Sequence, residues 1–428
     1  MEQFTFACEL VRVIRHFFPG LLPALKKVKD PRNTSYITYS TKLLLMTRIL
    51  SSIFYISSMR KTSEEFNSEQ VISNIGFLCE ESNVTELPYW ETINDFLKRF
   101  DPEELQTIIV ELVRHLIRSR AFEQARIHKK YWQVIIDGTQ LTSSNKPLDK
   151  KSLYRVHNRG KENEYVEYYY YVLEAKLVLH SDIQVSIMTE FVENDGREME
   201  KQDCERKACY RLMERLKKAF PMLPICLCAD SLYACEPFFK RCDEKHWKYL
   251  IRYKEGSITS IYEEYVVLKK REHHIQWENK GEEWYDFVCD IGYQERKIHV
   301  IEYGKKETYP MRFLTNLSVR KQNVKTLIEY GRKRWYIENQ GFNTQKRQGY
   351  YLEHMYSKTY QGIKNHYYLI QIGHMIAQVL EAWEVLWKEV RLSREQKHRR
   401  MLESWKTENL YEYEESLKER RQIRLQEG

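Results

Sequence analysis

No stretch of this 428-residue chain reaches 18 uninterrupted apolar residues. The nearest approach, Leu43 to Ile56, is broken by Arg48, Ser51 and Ser52, so no membrane-crossing helix is expected. The N-terminus carries Glu2 and has no basic region leading into an apolar stretch and a small-residue cleavage site, so no secretory signal is expected either. The nine cysteines include no C-x-x-C pair. Such an odd, scattered set reads as reduced cytoplasmic thiols, and the spacing a zinc site needs is missing. The sequence has no G-x-x-x-x-G-K-[ST] loop, which removes the expectation of ATP-driven motion. It also lacks H-E-x-x-H and G-x-S-x-G, which argues against zinc peptidases and serine hydrolases. Internal repeats and low-complexity linkers are absent.

What is present points to a polyanion. A net charge of +8 suits such a partner. With 31 tyrosines and 69 lysines and arginines, the chain can both stack on bases and bind phosphates, which favours nucleic acid over a membrane. An apolar fraction of 42% is ample for globular cores, and 428 residues exceed one ordinary core, so two or three domains are expected.

Residues 1–125 read as a helical domain. The clearest helix starts at Asp101-Pro-Glu-Glu104, an N-cap followed by proline at the first helical position. Leu105, Ile108, Ile109, Leu112, Val113, Leu116 and Ile117 then recur at helical spacing, leaving Arg114, Arg118 and Arg120 outside the stripe. Helices with basic outer faces suit DNA binding; a solvated packing domain is the plainer alternative. The pattern changes at Tyr131. Trp132 to Ile136 is β-rich and ends in Asp137-Gly138-Thr139, a carboxylate followed by an expected turn. A basic loop follows, holding Arg155, His157, Arg159 and Lys161. Two more strands, a helix from Glu200 to Phe220, and the short apolar run Pro224 to Ala229 lead to Asp230. Residues 253–310 read as a β-strand insertion, 311–390 as largely helical, and 391–428 as a charged helical tail, exposed or used for partner contact.

Two apolar strands each ending in aspartate form the informative repetition. Ligands of α/β sheets gather at strand ends. Two carboxylates there repel unless a cation lies between them, although either alone also suits a turn or cap. A third acid lies in Tyr330-Gly-Arg-Lys-Arg-Trp-Tyr-Ile-Glu-Asn-Gln-Gly-Phe-Asn-Thr-Gln-Lys346. As a helix this stretch aligns Arg334, Glu338, Phe342 and Lys346 four residues apart. A carboxylate flanked by cations suits a metal and phosphate site; a surface helix with ordinary ion pairs is the alternative.

These residues resemble the bacterial insertion-sequence transposases of the DDE class. The likeness rests on Asp137 after a β run, Asp230 in Ala-Asp-Ser-Leu-Tyr-Ala, a long β insertion, and Glu338 in Arg-Trp-Tyr-Ile-Glu, and spans residues 130–380. It implies an α/β fold with an RNase H-like mixed-sheet catalytic core (residues 126–252 and 311–390) split by an all-β insertion. It also implies that Asp137, Asp230 and Glu338 bind two Mg²⁺ ions, Mn²⁺ being able to substitute, and that these drive DNA cleavage and strand transfer. The partners would be double-stranded DNA, as element ends and target, and a second copy of the chain; the setting would be the bacterial cytoplasm, at the nucleoid. Tyr330, Arg334 and Lys346 correspond to the phosphate-gripping positions of a Tyr-Arg-Glu-Lys signature, but Tyr330 lies one residue too far upstream and Lys346 one too far downstream. His157, Arg159 and Lys161 are expected to track the DNA backbone, while Trp277 and Trp284 are candidates for stacking on an unpaired base or for core packing. A metal-dependent nuclease without strand transfer, and a non-catalytic DNA-binding descendant, are the alternatives.

Overall fold

The computed structural model describes residues 5–194, 201–272, 274–383 and 392–419. Its N-terminal part is helical: α1 (Phe6–Phe17), α2 (Leu21–Lys27), α3 (Thr41–Ile53), α4 (Met59–Glu65), α5 (Glu69–Cys79), α6 (Trp90–Leu97) and α7 (Pro102–Arg118). The start of α7 forms as its sequence dictates. Asp101 accepts a hydrogen bond from the Glu103 N–H, Pro102 occupies the first turn, and the expected stripe is buried except for the half-buried Ile117. Arg114, outside that stripe, donates to the Ala219 carbonyl and lies over the Phe220 ring, so it latches α7 to the sheet-bearing part of the chain rather than standing free.

The second part is built on ten strands: β1 (Trp132–Ser144), β2 (Leu153–His157), β3 (Tyr165–Val178), β4 (Gln184–Val192), β5 (Ile225–Ala229), β6 (Lys248–Tyr253), β7 (Gln276–Glu278), β8 (Glu283–Tyr293), β9 (Arg296–Lys305) and β10 (Met311–Thr315). Five of them form a core in the order β4-β3-β1-β5-β6. There β1, β5 and β6 are parallel, and β3 and β4 are antiparallel to their neighbours. Helices α8 (Lys201–Ala219) and α9 (Glu236–Glu244) supply the crossovers from β4 to β5 and from β5 to β6. This is the RNase H-like arrangement. The central β5, Ile-Cys-Leu-Cys-Ala, is buried throughout, as a parallel strand covered on both faces must be.

The expected insertion is not all β. It contains the 13-residue helix α10 (Thr259–Arg271), whose Tyr265 and Lys269 both contact the buried Glu302 of β9. Its strands do not form a separate sheet either, because β10 pairs with β6 on one side and β9 on the other. The chain then forms α11 (Val324–Arg332), α12 (Arg334–Tyr336), a π-helical turn over Ile337–Phe342, α13 (Asn343–Arg347) and α14 (Tyr360–Glu381).

The tail also departs from expectation. Arg391, Leu425 and the rest of residues 384–391 and 420–428 lie outside the described residues. Helices α15 (Arg394–Thr407) and α16 (Glu414–Lys418) are docked rather than exposed. Trp405, Leu410 and Leu417 are buried. Asn74 of α5 donates to the Trp405 and Glu408 carbonyls at 2.9 and 2.7 Å, and Ser404 accepts from the Ala7 N–H at 3.0 Å. The tail's sparse apolar residues are thus a packing stripe. One apolar core runs from α1 through α14 to these helices, so residue 125 separates classes of element but not cores.

Candidate active site

In the parallel pairing of β1 with β5, Ile135 is level with Cys228. Carried two residues further, that register brings Asp137 level with Asp230, two residues past the last pair that these two strands make with each other. Level residues on neighbouring strands share a face, with backbones about 4.8 Å apart. Asp230 caps the 3₁₀ turn Ser231–Tyr233, accepting from the Leu232 N–H at 2.8 Å. Here the cap reading and the site reading describe the same residue.

Asp137 is held differently. One oxygen accepts from the Gly138 N–H at 2.9 Å, and the other from Arg334 Nη1 at 3.3 Å. Burial pushes its carboxyl up to about 7, against the pull of the Arg334 guanidinium and the Gly138 N–H, and the charges of Asp230 and Glu205 add to the rise. The turn expected after Asp137 does not form. Although β1 leaves β5 there, its other edge stays paired with β3, Gly138 level with Leu173 and Thr139 with Val172. Gly138 serves close approach instead of turning: a Cβ at this position would stand 2.2 Å from the Tyr171 hydroxyl.

Glu338 is exposed on the π-helical turn. Besides burial, the groups that act on Asp137 are Arg334, Gly138, Asp230 and Glu205. Among the described residues no three His, Cys, Asp or Glu side chains gather to hold a metal ion. Asp230 lies close enough for its charge to act on Asp137, and Arg334 is a counter-charge to Asp137.

The π-helical turn bears on the drifted signature. Its wider i→i+5 hydrogen bonding takes up about one residue more than an α-turn. The eight positions from Glu338 to Lys346 then advance the helix face as about seven would, a drift of roughly 20° instead of roughly 80°. The side chains agree. Gln345 faces inward, buried and donating to Gln371 at 2.8 Å with His374 also within 2.8 Å, whereas Lys346 lies on the outer side, paired with Glu353 at 2.9 Å.

The remaining candidates are dispersed. The half-buried Tyr330 lends its backbone carbonyl to Gln133 at 2.7 Å. Arg159 and Lys161 are exposed at the tip of the β2–β3 hairpin. His157 stacks on Tyr165 and meets Glu167 at 2.9 Å. Trp284 packs over Gly304 and beneath Lys269, the packing outcome; Trp277 is exposed. Sequence reasoning missed Glu205. It is buried on α8, accepting from the Tyr171 hydroxyl at 2.8 Å and the Tyr233 hydroxyl at 3.1 Å. Its signal was a lone charge on the apolar stripe Ala208, Cys209, Leu212 and Leu216.

Comparison with known proteins adds two findings. The sequence profile of a family described as "Transposase DDE domain" matches residues 128–376, a span containing both aspartates, Arg334 and Glu338. The chain is also similar in structure to a piggyBac transposase, solved by cryo-EM as a synaptic complex with hairpin DNA. That similarity has 12% identity and a TM-score of 0.44, covering 95% of this chain and 82% of that one. No curated protein matches.

Proposed function

On the premise that this chain belongs to the transposase DDE domain family, we propose that it is a DNA transposase that cuts at the ends of a mobile element and joins them to target DNA. The observation that carries this reading is Asp137 and Asp230, each two residues beyond the last pair Ile135–Cys228 of adjacent parallel strands, with the charge of Asp230 acting on Asp137 and Arg334 against it. The donor set fits a hard divalent cation, since it offers carboxylate oxygens and a buried acid whose ionisation a cation would favour. Asp137 and Asp230, joined by Glu338, would hold Mg²⁺, with Mn²⁺ able to replace it. When bound, two such ions supply an activated oxygen nucleophile and a stabilised leaving oxygen.

The chain's own residues do the rest. Arg334 holds Asp137 through a long contact, so an arriving DNA phosphate competes well for its guanidinium and frees the second Asp137 oxygen. Lys346, on the outer side of the same helical stretch, and Tyr330 grip the backbone near the cut. His157, Arg159 and Lys161 reach along the duplex from the β2–β3 hairpin. The N-terminal helices contribute further DNA contacts, and two copies hold two ends together in the bacterial cytoplasm.

The test uses DNA carrying the element ends, a supercoiled target plasmid and Mg²⁺. Joined products are expected. Cuts without joining would indicate a nuclease, and metal-independent binding alone would indicate a non-catalytic descendant.

A further inference from the structure

The two aspartates sit on different segments, and nothing covalent near them sets their spacing. Asp137 lies on β1 beside Gly138, across which the Tyr171 phenol of β3 is packed so closely that no side chain fits there. Asp230 opens the 3₁₀ turn that contains Tyr233, and the Tyr233 N–H donates back to the Asp230 carbonyl at 3.3 Å. Each acid-bearing segment therefore has one tyrosine tied to it. Both tyrosines are buried, and both donate their hydroxyls to a single acceptor, the two oxygens of Glu205 on α8.

We infer that Glu205 is a positioning residue, which sets the separation of Asp137 and Asp230 by anchoring Tyr171 and Tyr233 to one buried carboxylate. A buried acid with two hydroxyl donors is costly to disturb, because losing it removes the acceptor that both phenols share. Residues of this kind, which hold ligands without touching the ion, typically change metal affinity by about 10–100-fold when removed. The inference rests on the reading that Asp137 and Asp230 are metal ligands.

The test measures Mn²⁺ alone binding to the full-length protein, followed by the EPR signal of the free ion, with melting temperature recorded for each variant. Asp230→Asn serves as the control on the ligand reading. Tyr171→Phe/Tyr233→Phe, which keeps both rings and the carboxylate, is expected to weaken Mn²⁺ binding about tenfold. Glu205→Ala should weaken it to a similar degree, and adding Glu205→Ala to the double phenylalanine variant should cost little more, because all three changes cut one bridge. Glu205→Gln, which retains one acceptor oxygen, should recover part of the loss. Two outcomes overturn the proposal. Unchanged Mn²⁺ affinity with a lowered melting temperature would make the bridge purely structural. Loss on changing Glu205 with none on removing the hydroxyls would make Glu205 a ligand itself. If instead Asp230→Asn binds Mn²⁺ as the unmodified protein does, it is the ligand reading that fails.

Discussion

Asp137 carries the sharpest electrostatic consequence at the scale of single residues. A free carboxyl titrates near about 3.9, whereas burial raises that of Asp137 to about 7. The folded state therefore holds this proton more tightly than the unfolded chain. Its ionisation costs nothing below about pH 4; the cost grows as pH rises through the interval and is complete above about pH 7. Asp137→Asn removes that cost, so without added metal it should raise stability at pH 8 by about 1–3 kcal/mol and leave it unchanged near pH 4. Urea unfolding at the two pH values measures this. A drop at pH 8 would mean that the ion pair with Arg334 outweighs the burial. In the unmodified protein, Mg²⁺ should raise the melting temperature at pH 8, and in Asp137→Asn it should not. Arg334 and Lys346 should differ in kind. Arg334→Ala should slow cleavage about 100-fold at saturating DNA, whereas Lys346→Ala should mainly weaken end binding, by about 1–3 kcal/mol. Normal turnover in Arg334→Ala would reduce its contact with Asp137 to incidental helix chemistry.

At the scale of elements, the π-helical turn over Ile337–Phe342 decides how the signature residues are presented. If it accommodates one extra residue within an otherwise α-helical stretch, deleting Gly341 should restore regular α-helix while leaving the faces on either side in phase. The deletion should then fold, with a melting temperature within about 1–2 °C, the scale of roughly 1 kcal/mol in a chain of this length. Deleting Ala377 from the regular, buried helix α14 should abolish folding, because every later side chain would rotate by about 100°. Comparable damage from both deletions would show that the π-turn is not a one-residue insertion.

At the scale of the molecule, the tail helices close the core that begins at the N-terminus. Trp405, wholly buried against Phe54, should cost about 3–5 kcal/mol when changed to alanine, read from the urea midpoint. Truncation before Ser393 should lower the melting temperature of the monomer as well as any assembly on DNA. A truncated chain of unchanged stability whose DNA complex is smaller by light scattering would instead assign the tail to partner contact. The sequence by itself determined much of this architecture. Long periodic helices such as α7, apolar strands, and two strands each followed by aspartate are set by local chemistry, since buried faces leave their period in the residues that line them. That Arg334 and Glu338 share one helical stretch was legible because helical spacing is local too, whereas the contact of Arg334 with Asp137 was not. What only the tertiary structure decided depends on residues far apart in the chain. Tyr171 crossing Gly138 makes that glycine a packing residue instead of a turn, and β10 merges the insertion into the main sheet. Asn74 and Ala7 turn a charged tail into core, and Glu205 gathers two distant tyrosines. No spacing rule reaches across such separations, because which faces meet is settled by the packing of the whole chain.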